Sequence, residues 1–484
     1  MIQIPLSVTL FAAYLGALLA VAVHILLHKR PSRSAALWLM VITTIPLAGI
    51  LLYITVGVDR VQRRLLYKEA SNLHFRHAYA SAPHRIDPRL EPDGNEDTEI
   101  RLRRAAEFPD LLDRMFHRPL VGGNRFRMMT TGDRVYEAML GAIRNARDHV
   151  HLQTYIFQPD RVGRLFVETL LEKAKEGVEV RLLYDPVGSI DALAFLDELA
   201  RTGVEVSPFN PLNPLKRRWQ VNLRNHRKLL LVDGMKAFTG GMNISELHLV
   251  EHPLLTRVKD YHFEIQGPIV GQMQEWFIED WHYATGRSLL SERYLPRLEP
   301  RGDEPARVIT SGPDGDYEAF YRLVFAAILG ARSAVQIVTP YFIPDQGLIA
   351  ALRLAATRGV DITLLVPGHS DHPIVSLATQ SFYEELLRAG VRIYERRAPF
   401  LHAKVLVVDH RWATIGSANM DVRSFRLNFE ANVEIRSPAL VAALMDAIEA
   451  DMKAADMVDL AAFSLRPLRK QVLESACALL NPLL

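Results

Sequence analysis

One arrangement of helix, strand and motif occurs twice in this 484-residue chain, and that duplication limits the fold more than any other feature. The first copy begins near Asn124. A helical stretch, YEAMLGAIRNARDHV, leads into the apolar strand HLQTYIF, then a helix, LFVETLLEKAKEGV, and a strand, EVRLLYDPVG. The second begins near Val308 with YEAFYRLVFAAILGARSAV, followed by QIVTPYFIPD, LIAALRLAATRGV and DITLLVPG. Apolar residues recur at three- and four-residue steps in the helical stretches, and turn residues close short apolar runs in the strands. The alternation predicts α/β layers with helices on a largely parallel sheet. Two tandem α/β repeats, over 119–295 and 296–484, predict a pseudo-two-fold pair whose equivalent edges meet at one shared site.

Late in each copy stands the motif that carries chemistry. NHRKLLLVDGMKAFTGGMN contains His226, Lys228, Asp233, Gly240, Gly241 and Asn243. LHAKVLVVDHRWATIGSAN contains His402, Lys404, Asp409, Gly416, Ser417 and Asn419. His226 to Asn243 and His402 to Asn419 are the same interval of 17 residues. A histidine and a lysine two apart on a strand share a face. LLLVD and VLVVD continue that strand into a core and end at an aspartate suited to a turn. Glycines then allow a second turn to approach where a side chain would block it.

This set suits a phosphodiester. Lys228 and Lys404 supply positive charge for the non-bridging oxygens. One imidazole serves as nucleophile and the other protonates the leaving oxygen. Neither copy is complete alone. Each histidine also needs a partner on its other ring nitrogen. Aligning DYHFEI with EANVEI puts Asp260 and Glu430 in equivalent positions, so the expected pairing is Asp260 with His226 and Glu430 with His402. Tyr155 and Tyr341 end equivalent strands and are candidate pocket residues. Arg423, Ser424 and Asn428 are candidates for holding a headgroup or the second motif's loop.

At these residues the chain resembles the phospholipase D superfamily, whose signature is a paired HxKxxxxD motif. KRPSRSAALW, NHRKLLLVDG, GGMNIS, TPYFIPD and GSANMDVRSFRLNFE are similar to bacterial cardiolipin synthases over nearly the whole chain, including the ending NPLL. The resemblance implies transfer of a phosphatidyl group between two phosphatidylglycerols, giving cardiolipin and glycerol through a phosphatidyl-histidine. It implies His226 as nucleophile and His402 as acid and then base, roles that the sequence symmetry leaves open. It implies no metal and no cofactor. The HSDH stretch, 369–372, is a loop whose spacing fits no common metal site. Alternatives are a phospholipase D-type hydrolase, a membrane-bound nuclease, or a scaffold without activity.

Residues 1–60 read as an anchor in the bacterial inner membrane. The runs 5–27 and 35–57 carry no Asp, Glu, Lys or Arg, and about 20 apolar residues span a bilayer as a helix. Basic residues flank both runs, so their orientation stays open. Trp38 and Tyr53 are candidates for the two interfaces, and His24 for a buried or snorkelling position. Residues 61–118 read as a linker, with a solvated loop at EPDGNEDTE. Lys plus Arg is 57 against 55 for Asp plus Glu, which argues against a nucleic-acid partner. The expected partners are phosphatidylglycerol and membrane lipids, with a homo-oligomer left open. LKRRWQ, 215–220, and FSLRPLRKQVLESACALL are candidate lipid-surface segments. Cys477 is the single cysteine, which excludes an intrachain disulfide and reads as a small apolar residue.

Overall fold

The computed structural model describes residues 6–28, 32–45, 47–54, 108–116, 118–212, 223–314 and 316–479. Most of the linker, the LKRRWQ stretch and the NPLL ending lie outside the described residues. The chain divides into two compact units, Met1–Tyr67 and Lys68–Leu484.

The first unit holds helices Leu6–His28, Ser32–Thr44 and Ala48–Leu52. Ile25, Ala35, Ile42, Ile50 and Tyr53 form its small core. His24 Nδ1 lies 2.8 Å from the Tyr53 hydroxyl, and Trp38 stands edge-on to Tyr53 at 5.3 Å. These three rings meet, so Trp38 and Tyr53 do not mark opposite interfaces as expected. Among the described residues no helix is long and apolar enough to cross a membrane. The second apolar run is not one helix. It stops at Thr44 and resumes at Ala48, with Leu47 at a left-handed φ of 57°.

The second unit holds both repeats. In the first repeat the strands are β1 (Val121–Met129), β2 (His149–Thr154), β3 (Glu179–Tyr184), β4 (Glu205–Pro208), β5 (Leu229–Val232), β6 (Lys236–Gly240), β7 (Val258–Lys259) and β8 (His262–Gln266). In the second they are β9 (Glu304–Ser311), β10 (Ala334–Val338), β11 (Phe342–Ile343), β12 (Asp361–Pro367), β13 (Arg392–Arg396), β14 (Phe400–Leu401), β15 (Val405–Val408), β16 (Trp412–Gly416), β17 (Met420–Asp421), β18 (Glu430–Ile435) and β19 (Ala455–Met457). One 15-stranded sheet runs β4-β3-β2-β5-β6-β8-β1 and continues β9-β18-β16-β15-β10-β12-β13-β19. The second half repeats the first in reverse, and β1 and β9 join them.

The sheet is mixed rather than largely parallel. The β2–β3–β4 and β10–β12–β13 pairs are parallel because helices such as Arg161–Lys175 and Gln346–Thr357 carry the chain back over the sheet. Only three residues join β5 to β6, and only three join β15 to β16, so those pairs turn back antiparallel. Each repeat has its own apolar core, one around Phe166, Leu170 and Leu196, the other around Leu323, Leu352 and Leu386. Every residue of β5 and β15 is buried. Each such side chain stabilises the fold by about 1.5–3 kcal/mol, so the strands that follow the two histidines are firmly seated. Cys477 is free and packs, partly buried, on the second core.

Candidate active site

His226 and Lys228 lead into β5, and His402 and Lys404 lead into β15. Both histidines line one cavity of about 300 Å³ with Tyr155, Arg224, Asn243, Tyr341, Asn419 and Asn428. The two motifs therefore meet as the duplication predicts.

The carboxylate pairing is crossed, which corrects the expected one. His226 Nδ1 lies 3.0 Å from Glu430 Oε2, and His402 Nδ1 lies 2.7 Å from Asp260 Oδ2. Backbone pairing explains the exchange. The chain before each histidine adds to the strand of the other repeat: β14 pairs in parallel with β7, and Asn225 bridges Phe429. His402 N–H donates to the Lys259 carbonyl at 2.7 Å, and His226 N–H donates to the Phe429 carbonyl at 2.9 Å. In both cases the acceptor is the residue just before the carboxylate, so the ring is delivered beside it. Arg227 fastens the same seam. Its Nη1 reaches both Asp280 oxygens at 2.9 Å, and its Nε donates to the Glu430 carbonyl at 3.0 Å.

This geometry sets the tautomers. His226 Nδ1 faces only acceptors, Glu430 and the Ser417 carbonyl at 2.9 Å, so Nδ1 carries the hydrogen and Nε2 keeps its lone pair. His402 is oriented likewise by Asp260. Glu430 is itself held by Ser417 Oγ at 2.5 Å, Ser424 Oγ at 3.0 Å and Asn428 Nδ2 at 3.2 Å. Ser417, Ser424 and Asn428 thus act through the carboxylate. The matching position in the first motif is Gly241, where a Cβ would stand 2.2 Å from Asp260 Oδ1. A shorter acid with a glycine above it, and a longer acid with a serine, fill the same space. Asn243 Oδ1 accepts from the Ile156 N–H at 3.2 Å, and the Asn419 N–H donates to Ser424 Oγ at 3.1 Å.

Burial shapes the charges. It pushes both imidazoles below their ordinary value, the more so for His402, where Lys404 and Lys228 add repulsion. Burial also takes Lys228 down to about 7 and Lys404 to about 8. Lys228 Nζ donates to the His226 carbonyl at 2.6 Å, and Lys404 Nζ to the His402 carbonyl at 2.5 Å. The ammonium forms can attract an anion and are lost as pH rises through these values. The alkaline limb of kcat/KM is therefore expected between pH 7 and 8, whereas kcat, with the anion bound, holds to higher pH. A kcat/KM profile flat from about pH 6 to 9 would refute this ionisation.

Asp233 and Asp409 stand away from this chemistry. Each lies seven residues beyond its histidine, on the order of 20 Å along an extended strand. Asp233 accepts from the N–H groups of Arg147, Asp148 and His149, between 2.8 and 3.1 Å. Asp409 accepts from those of Arg332, Ser333 and Ala334 and from Ser333 Oγ, between 2.7 and 3.0 Å. They tie off the start of β2 and β10, so the expected catalytic role gives way to a structural one. Asp233→Ala is expected to lower unfolding free energy by about 1–3 kcal/mol in urea titration, with kcat per folded molecule close to wild type.

Sequence reasoning missed Arg224, Asp371 and Asp421 in the cavity wall. Arg224 and Asp421 adjoin quoted motifs and were within reach. Asp371 belongs to the HSDH loop, which spacing alone does not place. Among the described residues no group of three metal-binding side chains occurs.

A family profile described as "Cardiolipin synthase, PLD-like domain" matches residues 139–281 and 324–452, the two repeats that build this cavity. The chain belongs to the cardiolipin synthase family. A cardiolipin synthase of Geobacillus kaustophilus is 35% identical over 466 residues, covering 94% of this chain and 90% of the relative. A cardiolipin synthase 2 of Bacillus anthracis is 35% identical over 464 residues, covering 94% and 88%. Residues 16–57 match a profile described as "Phospholipase_D-nuclease N-terminal". The phosphatidylserine synthase of Haemophilus influenzae shares the fold, with a TM-score of 0.60 at 14% identity over 78% of this chain and 99% of that one. Membership in the cardiolipin synthase family thus rests on both repeats, with the crossed histidines at their junction.

Proposed function

We propose that this protein transfers a phosphatidyl group from one phosphatidylglycerol to another, releasing glycerol and forming cardiolipin. The observation that carries the reading is the pair of buried, carboxylate-oriented histidines on one cavity, in a chain of this family. His226 Nε2 attacks phosphorus, and glycerol departs with a proton from His402. Bound phosphate favours the charged imidazole, offsetting the downward pull of burial on His402. The second phosphatidylglycerol then attacks, and His402 takes its proton back. Lys228 and Lys404 hold the non-bridging oxygens.

The amino-terminal helices are proposed to hold the catalytic unit at a bacterial inner membrane, with the two apolar runs as its anchor. A second feature suits work at a lipid surface. Helix Leu468–Ala478 packs on helix Pro373–Gln380, whose Val375 lines the cavity. Leu468, Val472 and Leu473 on the former and Ile374 on the latter are exposed. Labelled phosphatidylglycerol liposomes test the function. Cardiolipin and glycerol in equal amounts are expected, and phosphatidic acid without cardiolipin would replace the transferase with a hydrolase.

A further inference from the structure

The fold around the cavity is symmetric, but its charge is not. The loops after β3 and β12 occupy equivalent places in the two repeats. After β3, Asp185 is fully buried. It accepts from the N–H groups of Val187, Gly188 and Asn225, and lies 3.3 Å from Arg224 Nη1, which faces the cavity. After β12, the carboxylate is Asp371, about half exposed and in the cavity wall. The Tyr341 hydroxyl donates to its two oxygens at 2.9 and 2.8 Å, Ser370 Oγ donates at 3.2 Å, and His372 Nε2 lies 3.7 Å away.

This carboxylate sits on one side of the reaction. Tyr341 stands edge-on to His402 at 6.4 Å, whereas Tyr155 stands edge-on to His226 at 4.8 Å. A carboxylate repels the phosphate that the lysines attract, so a negative group here disfavours the diester itself. What it favours is a hydroxyl donor, because an ionised carboxylate accepts at several lone pairs and only part of that capacity is used by Tyr341 and Ser370.

We propose that Asp371, held by Tyr341 and Ser370, forms a polyol subsite on the His402 side that takes the glycerol headgroup. The inference rests on the transferase reading and deepens it. In the second half-reaction the acceptor's primary hydroxyl oxygen bonds to phosphorus. The phosphorus–Nε2 bond to His226 breaks, its electron pair returns to the ring, and the hydroxyl proton passes to His402 Nε2. The neighbouring secondary hydroxyl meanwhile donates to Asp371. Microscopic reversibility puts the departing glycerol of the first half-reaction in the same place. Water and a monohydric alcohol have no second hydroxyl to give Asp371 while they attack, so the subsite selects polyols over both. It also distinguishes the histidines: the one beside the subsite is the proton carrier, and His226 is the nucleophile.

The test is headgroup exchange by the full-length protein on phosphatidylglycerol vesicles. Isotope-labelled glycerol and 1-propanol compete at equal concentration, and mass spectrometry reads labelled phosphatidylglycerol, phosphatidylpropanol and phosphatidic acid. Wild type is expected to prefer glycerol. Asp371→Ala is expected to cut that preference about tenfold and to raise phosphatidic acid per donor cleaved, since a hydrogen bond to a charged group is lost. Tyr341→Phe, which frees the carboxylate from its anchor, is expected to cut it less. An unchanged glycerol-to-propanol ratio in Asp371→Ala, or an equal fall in both products, overturns the subsite. Wild-type protein that forms phosphatidic acid but neither cardiolipin nor labelled phosphatidylglycerol overturns the transferase reading itself, a result distinct from either.

Discussion

Alanine at His226 or at His402 is expected to lower cardiolipin formation by about 10³–10⁴-fold, with far-ultraviolet circular dichroism and melting temperature close to wild type. In the proposed mechanism His226 and His402 serve one phosphorus atom in sequence, so removing both will cost little more than removing either. The two variants will differ in what they trap. Without His226 no covalent lipid forms on the protein. Without His402 the covalent lipid forms slowly and then persists, because nothing accepts the proton of the incoming hydroxyl. Acid quench with radiolabelled phosphatidylglycerol reads this difference. Label on the His226→Ala protein would exclude His226 as the nucleophile.

The crossed carboxylates give the second large effect. Glu430→Gln keeps size and hydrogen-bonding atoms but offers an amide that can donate toward Nδ1, so His226 loses both its orientation and the fixed hydrogen that leaves Nε2 free. The expected cost is about 10³–10⁴ in kcat, by analogy with acid–histidine pairs in hydrolases. Asp260→Asn does the same to His402 across the opposite seam. Trapping assigns each effect to its histidine: Glu430→Gln will impair formation of the covalent lipid, and Asp260→Asn will impair its discharge. The uncrossed pairing requires the reverse pattern, so one experiment on two variants decides between them. Burial acts to raise the Glu430 carboxyl, and His226 and Lys228 outweigh it and hold the group below the usual carboxylate range. Glu430 therefore contributes stability at neutral pH that is lost as pH falls through its lowered folded value, and the glutamine variant will show a weaker acid dependence of unfolding.

Much of this was legible in the residues. The equal 17-residue intervals and the repeated strand–helix pattern announced two halves and a shared cavity. Asp260 and Glu430 were also found as the orienting acids. Their assignment failed because His226 and Glu430 are 204 residues apart and meet through β-bridges between repeats, which local spacing does not encode. Asp233 and Asp409 stood in the chemical motif but were also legible as aspartates suited to a turn, and each satisfies three backbone donors at the start of a neighbouring strand. The apolar run 35–57 reads as one continuous span by hydropathy, whereas the helix stops at Thr44 and resumes at Ala48. Asp371 was read only as part of the HSDH loop: a half-exposed aspartate there gains meaning only when the sheet brings its strand beside the other motif.

The exchange of partners between repeats also times the onset of reactivity during synthesis. When the first histidine leaves the ribosome, the acid that aims it has not been made. Translation must pass residue 430, and the second half must fold against the first, before the His226 ring is aligned. A prematurely terminated product that carries only the first motif therefore lacks the carboxylate that orients its histidine.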